Sequence, residues 1–323
     1  MRLLGMTWDH ARGHGPMAAT ASAYARAHPQ VEIAWEKRSL QAFADQPLEE
    51  LAAGYDLLVI DHPHVGAAAR RGCLRALDDW GRDTELRALA RASLAGSHES
   101  YRYAGRQWAL AIDAAAQVAC YRPDLIAAPP TTWEQLLELA RAGRVLCPLM
   151  PVDALMTFFT LAANRGTPCR NDGRADAPLL PPDAGLAVLD TMRTLTQHLP
   201  AECLSMNPIE TYERLGEPDH RRFACCPLGY GYSNYARAGF RARRLRFGDI
   251  PSFFPGAAPR GSTPGGTGNA VSSRSRHLET AADNPPMPPP GATSAATPSR
   301  STSSATPGAR WTDPGSARVT TAT

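Results

Sequence analysis

Asp61-His62-Pro63-His64 gathers three hydrogen-bonding side chains within four residues, directly after the apolar run Leu57-Leu58-Val59-Ile60. A short, continuous, β-branched-rich run reads as a strand buried on both faces. The C-terminal end of such a strand is where open α/β sheets keep their ligand crevice. Carboxylates and imidazoles exchange hydrogen bonds with hydroxyl groups, so a polar ligand is expected there. The alternative for these residues is structural, because Asp and His after a strand also make a turn and a helix cap. Two further stretches carry chemistry of the same kind: Trp8-Asp9-His10 near the start, and the aromatic-polar loop Gly229-Tyr230-Gly231-Tyr232-Ser233-Asn234-Tyr235. Trp8 and these tyrosines equally suit a core, where each hydroxyl needs only one partner.

The elements that must position these groups follow from local pattern. Met1 to Thr7 reads as a first strand, and Trp8 to Pro16, with two glycines and a proline, as a polar loop. A helix is expected from Met17 to His28, a period-two strand over Val31 to Glu36, and a helix over Leu40 to Ala53 that leads into the Leu57 strand. The order β-α-β-α-β is that of a parallel, right-handed α/β sheet. Gly66 to Ala69 opens a helix after the histidines, and Leu74 to Leu94 is helical apart from a break at Gly81. Tyr101 to Ile112 reads as a hairpin turning at Ala104-Gly105, followed by a strand over Ala115 to Tyr121. Thr132 with Gln135 three residues on fits a capping box. Beyond it lie a strand-like run at Val145 to Met150, helices over Asp153 to Asn164 and Asp183 to Leu199, the latter capped by its Asp, a strand over Phe223 to Leu228, a weak strand at Asn269 to Ser272, and a helix starting at Arg276.

Composition narrows the function classes. The 323 residues are 43 % apolar, enough for two lobes or one large domain. Thirty-four basic and thirty-one acidic residues leave a net charge of +3, too small to point to nucleic acid. The arginine-rich run Arg237 to Arg246 reads as a solvated face. Seven scattered cysteines include no C-x-x-C pair and no zinc spacing, and read as buried small hydrophobes. No apolar run reaches the roughly 18 residues of a membrane span, and the start has no secretory apolar region. As written, the chain is expected in the cytoplasm unless its start is wrongly assigned. In the last 40 residues, 32 are Pro, Ser, Thr, Ala or Gly. Such a segment cannot bury enough surface to order itself, so 284–323 is expected to be disordered, and a shift of reading frame near Asp283 would explain the change.

Several motifs in order resemble the family 1 extracellular solute-binding proteins of ABC transporters, of which the maltose-binding protein is the best known type. Tyr103-Ala104-Gly105-Arg106-Gln107-Trp108-Ala109-Leu110, then Tyr121-Arg122-Pro123-Asp124-Leu125, then Pro130-Thr131-Thr132-Trp133-Glu134-Gln135-Leu136 is similar to the family segment that crosses between lobes. The loop Gly229 to Tyr235 resembles its "G-x-W-x-x-S-N" loop, with tyrosines for tryptophans. Gly265-Gly266-Thr267-Gly268-Asn269-Ala270-Val271-Ser272 resembles its glycine-rich return strand, and Tyr55 to Leu77 its first-lobe strand and loop.

The resemblance implies a two-lobe periplasmic-binding-protein type II fold with hinge crossings and an incomplete C-terminal part. Its divisions are 1–112 for the first part of lobe 1, 113–248 for lobe 2, 249–283 for the return to lobe 1, and the tail. It implies a sugar or polyol clasped by Trp8, Asp9, His10, Asp61, His62, His64, Asp113, Tyr230 and Tyr232, a monomer that hands this solute to an ABC permease, and a periplasmic or extracellular setting. Asp113 has a plainer reading too, as a partner for hinge backbone. No catalytic residue, metal or cofactor is expected: there is no G-x-S-x-G, no Walker loop, and no GxGxxG after a strand. The competing expectations are an enzyme on the same scaffold, with His10, Asp61, His62 and His64 on a metal or Cys225-Cys226 as nucleophile, and a truncated product without function.

Overall fold

The computed structural model describes residues 1–39, 47–94, 96–170, 177–219 and 221–282. Its strands are, in chain order, β1 (Arg2–Trp8), β2 (Glu32–Arg38), β3 (Leu57–Asp61), β4 (Arg102–Tyr103), β5 (Arg106–Gln107), β6 (Ala109–Ala111), β7 (Ala115–Tyr121), β8 (Cys225–Tyr230), β9 (Arg246–Gly248), β10 (Pro264–Gly265) and β11 (Thr267–Val271). One sheet has the order β2-β1-β3-β11-β6. Within it β1 runs parallel to β2 and β3, while β11 lies antiparallel between β3 and β6. The apolar run of β3 is central, and Leu57, Leu58, Val59 and Ile60 are all at most 2 % exposed. That is why it carries no polar alternation.

A second sheet has the order β10-β7-β8, with β9 also on β7, all antiparallel to β7. The chain passes between the sheets twice at one place. β6 and β7 are consecutive in sequence yet belong to different sheets, so Ile112 to Ala114 forms one crossing. β10 belongs to the second sheet and β11 to the first, with Gly266 alone between them. Its φ is +129°, and a Cβ there would lie 2.5 Å from the Asp113 carbonyl oxygen. Only glycine lets the two crossings touch.

Local chemistry sets some element ends. Thr132 and Gln135 form the reciprocal capping box of the helix Trp133–Arg141, and Ala104 and Gly105, both at positive φ, turn the β4–β5 hairpin. In the Tyr121-to-Leu125 motif, Arg122 is fully buried and grips Asp124 through Nε and Nη2, both at 2.8 Å. Its Nη1 donates to the Leu215 and Glu217 carbonyls. All seven cysteines are free, six of them buried and Cys169 half-buried. Most of the side chains from Arg237 to Arg246 are exposed.

The structure corrects three readings. The expected loop before Pro16 is instead the start of the helix Ala11–Ala27, which contains Gly13, Gly15 and Pro16. Gly13 marks a close approach here, since a Cβ on it would lie 2.4 Å from the Trp8 indole. Val145 to Met150 is buried but makes only one bridge, Val145 with Cys225, because Pro148 interrupts it and its later amides turn to the Cys203 and Met206 carbonyls. The helix Pro182–Thr196 has Pro181 at its N-cap, and Asp183 lies in its first turn without capping. Residues 40–46 of the expected Leu40 helix lie outside the described residues, and its remainder is the helix Leu48–Gly54. The tail from 283 onward, with its expected disorder and frame shift, also lies outside them.

Candidate ligand-binding site

A cavity of about 340 Å³ opens beside the two crossings. Elements of the first sheet supply Trp8 at the end of β1, Asp61 at the end of β3, His62 and His64 from the single 3-10 turn that follows, and Asp113 from the crossing. Elements of the second sheet supply Tyr230 and Tyr232 after β8, Asp153 and the apolar Val152, Leu155 and Met156 from the helix Pro151–Asn164, and Asn207 with Pro208 at the start of the helix Pro208–Gly216. Seven of the nine residues singled out in sequence line this space.

Asp9 and His10 do not. Asp9 is exposed and pairs with Lys37 Nζ at 2.8 Å. His10 caps the helix Ala11–Ala27, its Nδ1 accepting from the Arg12 amide at 3.1 Å. Its ring packs edge-on against Tyr232 at 4.8 Å and near Tyr235 and Phe240, outside the wall of the cavity. Trp8 is almost wholly buried in the core and presents only a margin to the cavity.

Arg12, Asp153 and Asn207 were not singled out in sequence. Arg12 Nε donates to Asp113 Oδ1 at 3.1 Å, and Nη2 pairs with Oδ2. Nη1 donates to the Gly231 carbonyl at 2.9 Å, and the guanidinium lies 4.6 Å over the Tyr232 ring. One residue of the helix after β1 thereby ties the crossing to the loop after β8. Arg12 carried no signal because it lies within what reads as a polar loop. Asp153 carried none because an acid in a helix's first turn is commonplace.

Burial pushes the Asp61 carboxyl up to about 7, helped by the Asp113 charge and opposed by Arg12. Asp153 is likewise pushed up to about 7, by burial first and then by Glu210 and Asp61. Burial and the neighbouring His64 bring His62 down to about 4, and burial lowers His64. Both imidazoles are therefore neutral at pH 7, each with one donor and one acceptor. The site offers carboxylate and imidazole groups, the Tyr230 and Tyr232 side chains, and the aliphatic Val152 and Leu155 with Met156.

Among the described residues no group of three His, Cys, Asp or Glu side chains is arranged to hold a metal ion. His10 is turned to the aromatic cluster rather than to His62 and His64. Cys225 is buried and its thiol pushed up to about 12, the opposite of what activates a nucleophile.

No sequence-family model matches the chain, and no curated protein matches it. Solved structures do. An ABC transporter solute-binding protein from Agrobacterium vitis S4 with bound D-mannitol is 14 % identical with a TM-score of 0.67, over 87 % of this chain and 70 % of that one. Maltose-bound MalE3 of T. maritima is 15 % identical with a TM-score of 0.67, over 88 % and 75 %. An ABC transporter solute-binding protein from Thermotoga lettingae TMO, bound with alpha-D-tagatose, is 14 % identical with a TM-score of 0.71, over 88 % and 76 %. The chain thus has the two-lobe α/β fold of ABC transporter solute-binding proteins, and the likeness is one of fold.

Proposed function

We propose that this chain is the solute-binding component of an ABC importer, closing two lobes around a small sugar or polyol and delivering it to a permease from outside the cytoplasmic membrane. In this reading residues 1–112 and 267–282 form one lobe and 113–265 the other, since β10 pairs with β7 of the second sheet and β11 with β3 of the first. The observation that carries this reading is the cavity beside the two crossings, where hydrogen-bonding groups of the first sheet face tyrosines of the second. Carboxylates and neutral imidazoles bind hydroxyls, and flat aromatic faces cover the apolar face of a pyranose. The three solved structures of like fold each hold a carbohydrate or polyol, which supports the ligand class.

Asp61, His62, His64, Asp113, Tyr230 and Tyr232 bind the solute directly in this reading, and Trp8 backs them. Asp9 and His10 contribute through the loop that sets Arg12. The test is thermal unfolding against a panel of sugars, polyols and amino acids, since a ligand bound only by the folded state raises Tm by mass action. A shift with carbohydrates or polyols that disappears in Asp61→Ala supports the reading. Shifts confined to amino acids, or none at all with a cooperatively folded protein, overturn it.

A further inference from the structure

The cavity holds more acid than the protein neutralises. Asp153 is 5 % exposed, lines the cavity, and its carboxylate accepts no hydrogen bond among the described residues. The Asp61 carboxylate, half-buried in the same wall, accepts none either. The cationic side chain in the wall is Arg12, and its guanidinium is already engaged by Asp113, the Gly231 carbonyl and the Tyr232 face. Around Asp61 stand Asp113 and Arg12; around Asp153 stand Glu210 and Asp61; Tyr230, Tyr232, His62 and His64 complete the surroundings, all neutral. The first turn of its helix favours charge on Asp153, yet among the described residues no amide donates to it.

A buried carboxylate without a partner either takes up a proton or meets a cation. A neutral sugar would fill lone pairs through its hydroxyls but bring no charge. An ammonium brings three donors and a unit charge together. We propose that the solute is an amino sugar or amino-polyol, its ammonium met by Asp153 and Asp61 and its hydroxyl-bearing body held against the histidines and Tyr230. This rests on the solute-binding reading above and narrows it to a cationic carbohydrate.

The experiment is isothermal titration calorimetry of the full chain at neutral pH with matched pairs: D-glucosamine against D-glucose and N-acetyl-D-glucosamine, and aminodeoxy-D-mannitol against D-mannitol. The expected result is that an amine binds at least about tenfold tighter than its hydroxyl or acetylated counterpart, a difference typical of one charged contact. That preference collapses in Asp153→Asn and in Asp61→Asn, either of which suffices if the other fails to fold. Neutral members that bind as tightly as the amines overturn this inference and leave the carbohydrate-binding reading standing. If neither series binds a cooperatively folded wild-type protein, both fall.

Discussion

At the scale of residues, acids in opposite surroundings set how stability answers to pH: Asp153 is buried and Asp61 half-buried, while Asp124 is exposed beside a buried arginine. Asp153 and Asp61 bind their protons more tightly folded than unfolded, because their folded values lie near 7 against an ordinary 3.8. Their favourable share is complete below about pH 4 and is lost as pH rises through about 7. Asp124 is the reverse: Arg122 holds it down to about 2, so its share is present above about pH 4 and is lost as pH falls toward 2. Asp153→Asn is therefore expected to raise the Tm of the ligand-free protein, with an advantage over wild type that grows between about pH 5 and pH 8. Melts in a buffer series check this, and an advantage that shrinks over that window contradicts it. The gain in stability would come at a position proposed to meet the solute, the usual relation between a binding site and its fold. Asp124→Ala takes the carboxylate from the buried Arg122 guanidinium, which keeps the Leu215 and Glu217 carbonyls, and because solvent reaches Asp124 a loss of about 1 to 2 kcal/mol is expected in urea unfolding.

At the scale of elements, the crossings carry the tightest contacts. Gly266→Ala is expected to cost about 2 kcal/mol or more, since a Cβ would meet the Asp113 carbonyl at 2.5 Å in a backbone conformation that alanine avoids. Denaturant midpoints of the variant read this directly, and a neutral result would mean the crossings separate freely. The same element scale shows what sequence could read. Thr132 and Gln135 disclosed their capping box, and Ala104-Gly105 its turn, because each signal is spent within a few residues. Gly13 and Pro16 misled, reading as a loop where the chain forms a helix. The need for Gly13 comes from the Trp8 indole across the turn, and a contact of that kind has no periodicity to betray it.

At the scale of the whole molecule, the two sheets are joined by adjacent crossings and also fastened through Arg12. Hinge closure requires such contacts to form and break with modest energies. Arg12→Ala is expected to shift the ligand-free protein toward a more open form, seen as a larger radius of gyration in solution scattering, and to weaken solute binding about tenfold or more. An unchanged radius would show that Arg12 supports the site without holding the lobes. The sequence by itself determined most of the strands, their parallel start, the buried β3 and the polar residues at its end, because period, capping and turn chemistry act between near neighbours; the short β9 and β10 carried no pattern of their own. It also placed Asp61, His62, His64, Asp113, Tyr230 and Tyr232 in separate candidate loops. Only the tertiary structure decided that these loops share one cavity, that Asp9 and His10 stand outside it, and that Arg12 and Asp153 belong to it. Those facts depend on contacts between residues as much as 219 positions apart, such as Arg12 with Gly231, and on how deeply each acid is buried, quantities that no local pattern encodes.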